Sequence, residues 1–174
     1  MHKAVDDWVR AFVLIHGHGE RVLEIGSRTI NGEIRHHFKG CRTYVGIDIA
    51  GGYGVDVVAD GASYLAPEAP DRVVSCEVLE HTPKAREIVE NAWRQLAPGG
   101  WLVLTAASDP RAPHSAVDGG PLRPGEFYRN VKGAAIANWL LEIEQPLYVY
   151  VENHADRGDT YVLAQKVAPA LIGE

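Results

Sequence analysis

Residues 21–48, RVLEIGSRTINGEIRHHFKGCRTYVGID, constrain the fold of this chain more than any other stretch. Residues 21–25 are too apolar on both faces for a ribbon with one wet side, so they read as an interior strand of a parallel sheet. The strand ends on Glu24, Ile25 and Gly26. A turn, an amphipathic segment and a second apolar strand over residues 43–47 follow, with Asp48 at its carboxyl end. Strand, loop, helix, strand is the first half of a nucleotide-binding α/β sheet.

The side chains along this stretch have readable chemistry. Gly26 allows close backbone approach and Ser27 adds a hydroxyl. The carboxylate of Glu24 suits either backbone N–H groups of the following loop or a cationic ligand. Asp48 follows Glu24 by 24 residues, close to the spacing at which a strand-end acid accepts both ribose hydroxyls of a nucleoside. Ile30, Ile34 and Phe38 form the inner face expected of the intervening helix. His36 and His37 are adjacent and point apart on a helix, which argues against a joint metal site.

The rest of the chain extends this unit. Residues 1–16 predict a leading helix, with Val5, Trp8, Val9, Phe12 and Val13 at helical spacing. His16 and His18 lie in a glycine-rich break and read as solvated. A short third strand over residues 55–58 precedes Asp60 and Gly61, where Asp60 either reaches a purine edge or caps the next turn. A fourth strand, residues 72–76, runs directly into EVLEHTPK, which sets Glu77, Glu80 and His81 over the carboxyl edge of the sheet, where open α/β folds hold ligands. Pro83 marks the first turn of a helix whose buried face is Ile88, Val89, Ala92, Trp93 and Leu96. After APGG comes a fifth strand, residues 101–105. Residues 106–130 make a long loop whose apolar and aromatic content favours an ordered lid over a linker. A helix over residues 131–141 and two strands, 143–151 and 160–167, close the chain as an antiparallel hairpin.

Composition excludes several classes. With 174 residues the chain suits one domain, and folding buries about 70% of the surface of its extended form. No apolar run approaches the roughly 20 residues that cross a bilayer, and the amino terminus lacks the apolar centre of a signal peptide, so a cytoplasmic location without membrane association is the expectation. Cys41 and Cys76 are the only cysteines, too few for a disulfide framework and without CxxC spacing. A formal charge of −6 does not suit a protein that wraps extended nucleic acid.

The segments VLEIGS, YVGIDI, VADG, VVSCEVLEH and LAPGGWLVLT, in this order and with the terminal hairpin, resemble the class I S-adenosylmethionine-dependent methyltransferases over nearly the whole chain. The resemblance implies an α/β fold: a seven-stranded Rossmann-like sheet of order 3-2-1-4-5-7-6, mostly parallel with a carboxyl-terminal antiparallel hairpin, and helices on both faces. It implies a single domain over residues 1–174. It also implies S-adenosylmethionine as cofactor and S-adenosylhomocysteine as product, with no metal. Glu24, Ile25, Gly26 and Ser27 would stand by the methionine part of the cofactor, Asp48 would hold its ribose, and Ile49 would pack near adenine. Asp60 and Gly61 would approach the adenine edge, and Glu77 would line the boundary between cofactor and substrate. One departure stands out: the usual glycine-rich first loop is EIGSRTINGE here, so Arg28 occupies the second glycine position.

The activated methyl resides on the cofactor's sulfonium, so the protein's work is orientation and exclusion of water. Where the acceptor must lose a proton, His81 and His114 are the candidate bases and Tyr128 a candidate orienting group. A nicotinamide dinucleotide is disfavoured because the loop lacks G-x-G-x-x-G. The segment after the fourth strand, CEVLEH, lacks the DPPY-like pattern of amino-directed DNA methyltransferases. The acceptor expected is a small molecule or nucleotide-like compound. The alternative is an inactive cofactor-binding or protein-interaction module on the same fold, and a homodimer through an uncovered hydrophobic element is left open.

Overall fold

The structure is a computed structural model that describes residues 3–168. Seven strands form one sheet of order β3-β2-β1-β4-β5-β7-β6. The strands are β1 (Arg21–Ile25), β2 (Thr43–Asp48), β3 (Val57–Val58), β4 (Arg72–Cys76), β5 (Trp101–Ala107), β6 (Tyr148–His154) and β7 (Asp159–Gln165). The first five pair in parallel, while β7 runs antiparallel to both β5 and β6. Order and polarity are those implied by the sequence resemblance.

The parallel strands are apolar on both sides because each face carries its own core. Along β1, Val22 packs with one cluster and Leu23 and Ile25 with the other; along β5, Leu102 and Leu104 alternate with Val103 in the same way. This is the period-two alternation of a strand buried on both faces. On one face α1 (Lys3–His16) lays down Val5, Val9 and Phe12 against Val22, Val74, Trp101 and Tyr161. Each such side chain contributes about 1.5–3 kcal/mol when fully buried. On the other face α2 (Ala85–Gln95) and α3 (Gly133–Ile143) cover the sheet with Ile88, Val89, Ala92, Trp93, Ile136 and Leu140.

Several elements differ from the sequence expectation. The helix predicted after β1 is only a 3₁₀ turn, Arg35–Phe38. Gly32 sits at φ +126°, which ends any α-helix begun upstream, and the few residues left before β2 are too short to nucleate another. Ile34 and Phe38 are buried as expected, whereas Ile30 is 39% exposed. Among the described residues only β4 and β5 are followed by α-helices, α2 and α3. The third strand is two residues long because the Asp56 side chain is engaged by Gly46 N–H, 2.7 Å away, and the Val55 N–H closes a turn onto Gly52. The last helix runs to Ile143, which moves the start of β6 to Tyr148. Residues 1 and 2 of the predicted leading helix lie outside the described residues.

Candidate active site

The carboxyl ends of β1, β2 and β4 open onto a cavity of about 910 Å³. That is within the range of small-molecule and cofactor sites. Every residue expected to hold the cofactor lines it: Glu24, Ile25, Gly26 and Ser27 after β1, Asp48 and Ile49 after β2, Asp60 and Gly61 after β3, and Glu77 after β4. The parallel register brings them together, since Glu24 pairs with Gly46 on one side and Val74 on the other. Gly26 is in the left-handed region at φ +81°, and a side chain there would collide with Val78. Gly61 is equally constrained, because an added Cβ would lie 2.6 Å from Ile25 Cγ2.

The acids differ in state. Glu24 is buried and accepts a hydrogen bond from the Tyr44 hydroxyl at 2.8 Å. Burial pushes its pKa up to about 7, against the opposing pull of that hydrogen bond and of Arg35. Asp48 accepts from the Ala50 N–H at 2.9 Å and, more loosely, from the Arg28 N–H at 3.4 Å. The Arg28 guanidinium lies across Asp48, with Nε 3.9 Å from Oδ1, and its stem packs toward Gly52. The arginine at the second glycine position thus folds over the strand-end acid rather than pointing to solvent. Asp60 accepts from the Ala62 N–H at 2.9 Å, as a turn cap does, and from Lys84 Nζ at 2.7 Å. These bonds hold its pKa below the usual carboxylate value.

At the other end of the cavity the three candidate catalytic side chains converge. The rings of His81 and His114 are 4.9 Å apart and nearly perpendicular, and Tyr128 packs 5.4 Å from His81 and 4.9 Å from His114. His81 and His114 line the cavity, while Tyr128 supports them from behind. Burial, and then the neighbouring His114, lower the His81 pKa to about 4, so the His81 ring is neutral at physiological pH. Residues 106–130 are tied into this wall: Ser115 Oγ donates to Glu126 at 2.7 Å, the Arg129 N–H donates to the Glu80 carbonyl at 2.8 Å, and residues 111–116 line the cavity.

Sequence reasoning left some residues out. Arg111 lines the cavity and bridges Asp159 at 2.5 Å and Glu77 at 4.0 Å. Nothing in its local sequence signals this, because both partners are distant in the chain. Lys84, the partner of Asp60, was also unmarked. Glu77 carries φ +57°, the one non-glycine residue in the left-handed region among those described, and its carboxylate accepts from Thr105 Oγ1 at 3.0 Å. The expectation that His36 and His37 point apart fails: their ring centroids are 3.8 Å apart and both Nε2 atoms approach Asp6 Oδ1, at 3.7 and 2.7 Å. The reason is that the segment is a 3₁₀ turn docked on α1, where one acceptor captures both rings.

A family model described as "Methyltransferase domain" matches residues 1–144. None of the curated protein sequences compared matches the chain. Among solved structures, the chain is similar to the N-methyltransferase NodS of Bradyrhizobium japonicum WM9 in complex with S-adenosyl-L-homocysteine. The TM-score is 0.66 at 18% identity, covering 94% of this chain and 86% of that one. It is also similar to the 1,6-didemethyltoxoflavin-N1-methyltransferase of Burkholderia thailandensis, with a TM-score of 0.66 at 12% identity over 95% of this chain and 79% of that one. The [4+2]-cyclase SpnF matches as well, with a TM-score of 0.66 at 15% identity over 95% and 81% of the two chains. At these identities the likeness establishes the fold.

Proposed function

Because the chain belongs to the class I S-adenosylmethionine-dependent methyltransferases, we propose that it transfers the methyl group of S-adenosylmethionine to a small-molecule or nucleotide-like acceptor. The observation that carries this reading is the single cavity that unites the nine strand-end residues with His81 and His114. Asp48 offers its carboxylate to the ribose diol, Asp60 and Gly61 border the adenine, and Ile49, which is 78% exposed, has apolar surface to cover when a purine lies on it. The methionine end falls to Glu24 through Ser27, where a buried carboxyl group meets the ammonium. His81 and His114 would then border the acceptor.

The cofactor brings the reactive methyl, so this chain's residues have to align the acceptor in line with the sulfur–methyl bond and keep water away. The loop of residues 106–130 supplies the outer wall for both tasks. The match to SpnF, which is named as a cyclase, favours the second reading, an inactive cofactor-binding or protein-interaction module on this fold.

Titration of S-adenosylhomocysteine into the protein and into Asp48→Ala tests the binding half. Loss of hydrogen bonds to a charged group at roughly 1.5–3 kcal/mol predicts affinity lower by about 10- to 100-fold; equal affinity would remove the ribose assignment. Incubation with methyl-labelled cofactor and an extract separated into metabolites, nucleic acids and proteins tests the transfer half. Label in the metabolite or nucleotide fraction supports transfer, and tight cofactor binding with no label in any fraction gives the second reading.

A further inference from the structure

We propose that Glu80, His81 and His114 form a binding site for a divalent first-row transition-metal ion at the acceptor end of the cavity. One carboxylate oxygen of Glu80 and one ring nitrogen from each histidine lie within 4.8 Å of one another. A tetrahedral set at about 2.1 Å from an ion has its ligand atoms roughly 3.4 Å apart, so closure by about an ångström completes the site. Two of the three residues are adjacent on the 3₁₀ turn Leu79–His81, and the third enters from the loop after β5.

The state of these groups without an ion points to one. Glu80 is fully buried with Oε1 3.9 Å from His81 Nε2, and among the described residues neither of its oxygens has a hydrogen-bond partner, nor does the buried His81 Nδ1. A buried carboxyl left unsatisfied carries a desolvation penalty that an inert core would avoid with an apolar side chain. Tyr128, whose hydroxyl is likewise unpartnered, closes the other side.

The histidine from the loop is arranged as metal ligands usually are. His114 Nδ1 is 3.1 Å from the Ala112 carbonyl; with its proton there the ring donates to that oxygen and leaves the Nε2 lone pair open. A backbone carbonyl in this role fixes both tautomer and orientation. The second histidine cluster lacks these features: His36 and His37 already share Asp6 as a hydrogen-bonded and ionic partner near the surface. Two imidazoles and one carboxylate suit zinc, cobalt, manganese or nickel, whereas magnesium and calcium take oxygen ligands almost alone.

His81 and His114 line the cavity and Glu80 does not, so the remaining coordination positions open toward the acceptor. On the methyl-transfer reading, on which this step rests, an ion held here would suit an oxygen acceptor. Its hydroxyl, bound to the ion, loses its proton to solvent more readily. An oxygen lone pair then forms the O–CH3 bond while the S–CH3 pair remains on the sulfur of S-adenosylhomocysteine.

The test is titration of Co²⁺ and Zn²⁺ into chelator-treated protein, followed by calorimetry and, for Co²⁺, by ligand-field absorption. One ion should bind per chain, and His114→Ala and Glu80→Gln should each weaken it by about 100-fold or more. The loop variant His114→Ala guards against misfolding of the buried variant, and titration of S-adenosylhomocysteine into each variant checks that the cavity persists. Absence of binding, or binding that survives His114→Ala and disappears in His36→Ala, would overturn the site. Metal binding without S-adenosylhomocysteine binding would keep the ion and sink the cofactor reading; the reverse result would do the opposite.

Discussion

Glu24 shows how one residue carries both a legible role and a hidden cost. Its place at the end of β1 marked it for the site, yet the same strand buries it against Tyr44 and raises its pKa to about 7. The unfolded chain releases this proton near its ordinary value of 4.5, whereas the folded chain keeps it to about 7. Stability from this group is therefore fully present below about pH 4.5 and is lost as the pH rises through about 7. The shift corresponds to roughly 3 kcal/mol. Glu24→Gln keeps an acceptor for Tyr44 without the charge, so urea unfolding should find it more stable than the wild type at about pH 8.5 and nearly level with it at about pH 5. Wild-type stability that does not fall between these pH values would show that Glu24 is not held protonated. Arg28 is the opposite case: its identity was plain in the sequence, but its position over Asp48 depends on the path of residues 49–54, which carry no periodic pattern.

Elements were legible where burial alone decides them. β1 and β4 span the residues expected of them, 21–25 and 72–76, since turn residues and charge bound each apolar run. The segment after β1 misled because its apolar spacing is helical while Gly32 breaks the backbone, and spacing does not register a left-handed residue. At the start of α3 a different constraint operates, the close approach of Gly133 to the terminal hairpin. A Cβ on Gly133 would stand 2.5 Å from Val151 Cγ1 and closer still to Thr160 Oγ1. Alanine in a helix gains up to about 1 kcal/mol over glycine, while overpacking a filled interface costs typically about 1–3 kcal/mol. The second effect wins here because the obstacles are a β-branched side chain in β6 and a hydroxyl already bonded to Asn153 Oδ1 at 2.9 Å. Gly133→Ala should lower unfolding stability by about 1–2 kcal/mol, read as a reduced denaturant midpoint with unchanged slope. An unchanged or raised midpoint would mean that α3 slides on the sheet at little cost.

At the scale of the whole molecule, the sheet order came with the family resemblance that the strand-end motifs carry, but the acceptor wall did not. His81, His114 and Tyr128 were each marked in the sequence, and only the closing of residues 106–130 onto the end of β4 makes them neighbours. That closure joins the cavity's two halves, so a ligand spanning it ties the β1–β2 ends to the loop after β5. S-adenosylhomocysteine at 100 times its dissociation constant should add about 2.7 kcal/mol of stability. For a chain of this size that raises the melting temperature by about 5–10 °C. The same complex should slow proteolytic cutting between residues 106 and 130, because the loop is held to the cavity through Ser115, Glu126 and the Glu80 carbonyl. Thermal stabilisation accompanied by loop protection places the ligand against the lid. Stabilisation without protection would confine it to the strand-end half and leave the loop to the acceptor alone, and neither effect would remove the ligand from this cavity.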